Sequence, residues 1–132
     1  MGASGWSYFV PYQTNMQQAF VELQQHVFKM QLYEPLPEAL QRLAPFHTVA
    51  DLLNAVGAAG THSILDVPPP DSFQACSPTT LDALFQTQKP THAMIEAAEQ
   101  GGELWSRADG DYSIVHTNTQ PHEIYFIGAT GD

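Results

Sequence analysis

The chain of 132 residues has a single cysteine, Cys76, so no internal disulfide can form. That usage fits a reducing compartment, and the cytoplasm is the one expected. Basic residues are nearly as scarce. Lys29, Arg42, Lys89 and Arg107 stand against fourteen acids, for a formal net charge of −10. So acidic a surface repels phosphate backbones, which argues against nucleic acid or an anionic membrane as partner and favours a basic protein. The acids are dispersed, with no block of five or more that would read as an acidic tail. Long apolar runs are missing as well; none approaches the ~20 residues that cross a bilayer. The first residues, "MGASGWSYFVPYQ", lack a basic leader and an unbroken apolar stretch, so they do not read as a signal peptide. Trp6 occupies the position where a myristoylation pattern wants Ser or Thr. No glycine-rich phosphate loop is present.

Hydrophobic residues make up 43% of the chain, enough for one core without metal or disulfide staples. No repeat, low-complexity tract or shift of composition divides it, so residues 1–132 read as one domain. In "TNMQQAFVELQQHVFKMQLY", Met16, Phe20, Leu23, Val27 and Met30 recur at helical steps, and Thr14 with Gln17 suggests a capping box. Val21 and Phe28 lie off that stripe. "LPEALQRLAPF" holds at most a short helix. "HTVADLLNAVGAAG" predicts another, with Thr48 as N-cap and glycines as the stop. "SPTTLDALFQTQKP" and "PTHAMIEAAEQGGELWS" predict two more, capped by Ser77 and Thr91.

Two regions predict strands. "THSILDV" is short and apolar and precedes three prolines, which suggests a buried strand with a stiff exit. "DYSIVHTNTQPHEIYFIG" predicts a hairpin. A four-residue loop over 118–121 would set His116 opposite Glu123, and would place Tyr112, Ile114, Tyr125 and Ile127 on one face. The expected class is therefore α+β: several helices packed on a small, mainly antiparallel three-stranded sheet that ends in a C-terminal β-hairpin.

Each candidate reactive group also admits a simpler role. His62 and Ser63, adjacent on a strand, would point to opposite faces and could not form a nucleophile–base pair. His62 with Asp66, and His116 with Glu123, remain as polar candidates, the second pair reading first as a cross-strand ion pair. The six histidines show no metal-ligand spacing, so no metal site is expected and no cofactor is implied. Glu96, Glu99 and Glu103, at helical spacing, read as a solvated face. Cys76 precedes a helix start, where a thiol pKa can fall, but no signature surrounds it.

The blocks "YFVPYQ", "GTHSILDV", "PTHAMIEAA" and "GDYSIVHTNTQPHEIYFIGATGD", in this order, resemble a family of small single-domain bacterial proteins that is itself uncharacterised. The likeness covers most of the chain and implies a compact bacterial domain. No block is a functional motif, and no site residue is carried over.

These readings weigh against an enzyme. The expected function is a non-enzymatic protein-binding module of immunity or inhibitor type, directed at a basic protein or at a second copy of itself. Its contact surface would be the outer hairpin face, Tyr112, Tyr125 and Ile127. The alternatives are an enzyme of unrecognised type using histidine and carboxylate groups near the sheet, and a structural homo-oligomer subunit.

Overall fold

The stretch "SGWSYFVP" alternates Trp6, Tyr8 and Val10 with Ser7, Phe9 and Pro11, the period of a strand that buries both faces. In the computed structural model, which describes residues 4–33, 36, 38–43, 45–67, 74–101 and 111–130, it forms β1, Ser4–Pro11. The helices α1 (Met16–Lys29), α2 (Glu38–Gln41) and α3 (Val49–Val56) follow. After them come the two-residue strand β2 (Gln74–Ala75), α4 (Pro78–Phe85), α5 (His92–Gln100), β3 (Asp111–Thr117) and β4 (Gln120–Thr130). The sheet order is β1-β4-β3-β2; β4 pairs antiparallel with both β1 and β3, and β2 adds a short parallel bridge to β3. The class is α+β, with three antiparallel strands and a C-terminal hairpin.

The third antiparallel strand is β1, not residues 61–67. There Ser63 caps a 3-10 turn, Ile64–Asp66, and Asp66 closes a capping box with it. The Asp66 carboxylate accepts from Thr61 N–H (2.7 Å), Thr61 Oγ1 (2.9 Å) and His62 N–H (2.8 Å). Gln24 Nε2, from α1, donates to the carbonyls of Ile64 (3.0 Å) and Val67 (3.3 Å). Side-chain oxygens and a glutamine amide thus satisfy backbone groups that a sheet would otherwise have paired. Residues 68–73, the proline run among them, lie outside the described residues.

The helix caps follow the sequence with one shift. Thr48, Ser77 and Thr91 accept from the N–H groups of Asp51, Thr80 and Met94. For α1 the cap is Asn15, which accepts from Gln18 N–H, rather than Thr14. Met30 follows α1 and is exposed, whereas Ala19, Phe20, Leu23 and Val27 are buried.

The hairpin is tighter than its composition suggests. Asn118 and Thr119, both at positive φ (51° and 65°), form a two-residue turn, and Thr117 faces Gln120. His116 therefore faces Pro121, and Val115 faces Glu123, with a register shift between Val115 and His116. That irregularity sits where Pro121 has no N–H to donate to β3. The change of register also splits the expected face. Tyr112 pairs with Phe126, whereas Tyr125 pairs with Ser113 and Ile127 with Asp111.

Two apolar clusters result. On the first face Trp6, Ile124 and Phe126 pack with Phe20, Leu23 and Val27 of α1, with Leu52 of α3 and with the 61–67 knot. On the second face Val115 and Tyr125 pack with Ile95 of α5, joined by the partly buried Phe9, Phe85 and Ile127.

A candidate functional site on the second face

The second face takes its character from two helices that do not fill it. α5 lies across the sheet because Ile95 and Ala98, three residues apart, point inward and are buried. On that side Glu99 also turns inward. Its Oε2 accepts from Ser7 Oγ (2.7 Å) and from the Tyr125 hydroxyl. Glu99 thus tethers the helix to β1 and β4 together, and it is not part of a solvated acidic face. Glu103 and Trp105 lie outside the described residues.

One helical end away, His92 Nδ1 meets Glu123 Oε1 at 2.8 Å and its Nε2 lies 3.5 Å from Glu96 Oε2. The imidazole stacks on Phe9, with ring centroids 3.8 Å apart and 23° between planes. The Glu123 hydrogen bond is the main reason the His92 pKa rises above its ordinary value, with the charges of Glu123 and Glu96 adding to it. Burial, reinforced by the Glu99 contact, pushes the Tyr125 phenol well above its ordinary pKa. Tyr125 is therefore a neutral hydrogen-bond donor throughout the physiological range.

α4 is amphipathic but shallow. No described residue along it is buried; Leu81, Leu84 and Phe85 are only partly covered. Between it and the sheet lies a cleft of about 310 Å3, walled by Leu81, Leu84 and Phe85 of α4, Ile95 of α5, and Tyr125 and Ile127 of β4. Cys76, Asp111, Tyr112 and Ser113 also reach its wall, and Ala83 lines it from an exposed position. Neither α4, α5, β3 nor β4 contains a lysine or arginine, while Asp82 and Glu96 are exposed on the two helices. The cleft is thus apolar inside, and the elements that bound it carry acids but no lysine or arginine.

The residues singled out from the sequence fall at the cleft, in the 61–67 turn and along β3 and β4. Tyr125 is 3% exposed and belongs to the core of this face. Ile127 and Tyr112 line the cleft beside it, Tyr112 packing also against the first-face cluster. The Asp66 carboxylate accepts from the backbone N–H groups of Thr61 and His62 and so closes the turn. Glu123 takes His92 as partner in place of His116. His116 lies in a smaller hollow of about 270 Å3 with Cys76 and Leu81, and its Nδ1 has no hydrogen-bond partner among the described residues. No group of three or more His, Cys, Asp or Glu side chains among the described residues is placed to hold a metal ion. No helix among them is long and apolar enough to cross a membrane.

Sequence reasoning missed His92 and Glu99 as organisers of this face. The signal for Glu99 was its i+4 spacing from Ile95, which puts it on the inward side of α5. His92 and Glu123 are 31 residues apart, and nothing local connects them. No family profile, curated protein or solved structure matches the chain. The functional reading rests on its own geometry.

Proposed function

We propose that this protein is a non-enzymatic binding module of immunity or inhibitor type, which receives an apolar side chain of a basic partner protein in the cleft beneath α4. The observation that carries the reading is the cleft itself: an apolar slot of about 310 Å3, bounded by helices and strands without a lysine or arginine, in a chain of formal charge −10. An apolar anchor flanked by lysine or arginine is the complement of that surface. The anchor gains from desolvation, and the flanking charges steer the encounter and fix its orientation. Tyr125 contributes as a wall of the cleft held in place by Glu99, not as an exposed contact residue.

A second reading is favoured by one specific feature. Tyr125 belongs both to the cleft wall and to the Ser7–Glu99 cluster, so an enzyme using carboxylate and histidine groups of this face would have an apolar subsite beside them. The binding reading is preferred because the polar groups of the cluster are engaged with one another.

Tagged protein, wild type and Ala83→Trp, is to be used for capture from the native lysate at low and moderate salt, with mass spectrometry of what is retained. Ala83 is exposed, so an indole there fills the cleft mouth without entering the core. The expected result is one basic partner, retained by the wild type at low salt, lost as salt rises and lost in Ala83→Trp. A retained set that changes neither with salt nor with the filled cleft would contradict the proposal.

A further inference from the structure

The outer edge of β1 has no strand beside it among the described residues. Tyr12 N–H donates to His122 O at 3.1 Å, and the β1–β4 register runs without irregularity from there back to Ser4. Antiparallel alternation then turns the N–H and C=O groups of Trp6, Tyr8 and Val10 toward β4, and those of Gly5, Ser7 and Phe9 outward. The other side of the sheet is treated differently. Along β3, Tyr112 O accepts from Cys76 N–H (2.8 Å), and His116 N–H donates to Pro90 O (2.9 Å).

An exposed edge is ordinarily guarded by a lysine, an inward charge, a bulge or a proline within the strand. Ser4–Pro11 has none of these, since it carries no charge and places its proline at the last position. Its sequence is moreover complementary to itself. Pairing two copies antiparallel about a twofold axis through Ser7 sets Gly5 opposite Phe9 of the partner subunit, and Trp6 opposite Tyr8 of the partner subunit. Pro11, with no N–H to give, falls beyond the paired stretch. The outward amides of Gly5, Ser7 and Phe9, three from each copy, then supply six main-chain hydrogen bonds. An aromatic ring over a glycine already occurs inside the chain. Trp6 faces Gly128 so closely that a Cβ on residue 128 would lie 2.6 Å from the Trp6 Cζ2 atom. Phe9 over Gly5 would repeat that device across the seam.

We propose that the β1 edge is a self-association surface, which joins two copies of this chain into one continuous sheet. The inference is independent of the cleft, and charge separates the two. A basic partner is lost as salt rises. Two chains of formal charge −10, meeting along an uncharged strand, associate more tightly as salt screens their repulsion.

The test is sedimentation equilibrium over a range of salt, with residue-resolved amide hydrogen exchange at low and high protein concentration. The expected result is a two-chain mass favoured by salt, with the amides of Gly5, Ser7 and Phe9 protected only at high concentration. Those of Trp6, Tyr8 and Val10 should be protected at both. Gly5 is exposed and is not among the described glycines at positive φ, Gly57 and Gly60, so Gly5→Pro is compatible with the strand. That variant removes two of the six hydrogen bonds and should weaken association about tenfold or more. A protein that stays monomeric up to about 1 mM would overturn the proposal. So would a dimer in which those three amides exchange freely, or one that Gly5→Pro leaves as tight.

Discussion

Among the described residues, Val27, Leu52, Ile64 and Ile124 on the first face of the sheet have no solvent exposure, drawn from two helices, the 61–67 knot and β4; on the second face Ile95 and Val115 reach that state. The difference lies in what each face is covered with. The first receives a 14-residue amphipathic helix that buries Ala19, Phe20, Leu23 and Val27, and a turn whose polar groups are satisfied by its own Asp66 and by Gln24 of that helix. The second receives two short helices of eight and nine residues, attached by a carboxylate and an imidazole as much as by apolar contact. A fully buried aliphatic or aromatic side chain contributes roughly 1.5–3 kcal/mol, so the first face carries the stability of the fold. The second keeps apolar surface uncovered, in the form of the cleft. Division of labour between the faces follows from helix length and from where the sequence puts its polar residues.

Adjacent residues of β4 offer the sharpest way to break this comparison. Phe126→Ala, on the first face, should cost about 4 kcal/mol of unfolding free energy, read by urea denaturation. Ile127→Ala, one residue on but facing the cleft, should cost about 1 kcal/mol, because less of its side chain leaves water on folding. Equal losses would mean that the faces are equally load-carrying. Asp66→Ala should cost about 3 kcal/mol, since it strands the donors of Thr61 and His62 in a partly buried turn. On the second face Tyr125→Phe removes only the hydroxyl given to Glu99, and the loss should be about 1 kcal/mol in the same measurement.

The smallest effect concerns His92. Its folded pKa lies above the ordinary value of 6.5, so its contribution is fully present below that value and fades as pH rises through the folded pKa. The side chain is 43% exposed, and solvent screening limits the effect to about half a kcal/mol or less. The deficit of His92→Gln relative to wild type should therefore be larger near pH 5.5 than near pH 8.5, by urea denaturation at each. A difference that grows with pH would assign His92 the opposite role.

Much of the fold was legible in the sequence, for reasons that can be named. Helical spacing with Thr48, Ser77 and Thr91 as caps marks α3, α4 and α5, and the Phe20–Leu23–Val27 stripe marks α1, because both signals are local. The hairpin was legible too, but not its register, which turned on Pro121 being tolerated inside β4 beside a bulge. Residues 61–67 misled because a short apolar run reads alike in a strand and in a buried turn. The Ser63-x-x-Asp66 spacing, a capping-box pattern, was the cue that distinguished them. β1 carried period-two alternation that its glycine and proline obscured. The site was least legible. The cleft depends on how far α4 stands off the sheet, and the His92–Glu123 and Glu99–Ser7 contacts join elements far apart in the chain.

Native-state hydrogen exchange, read residue by residue, compares the two faces most directly. The amides of α1 and of the first-face knot should exchange only through global unfolding, whereas those of α4 and α5 open locally at markedly lower free energy and leave the first face intact. Exchange of α4 and α5 at the same free energy as α1 would contradict the division of the molecule into a stabilising face and a loosely covered one.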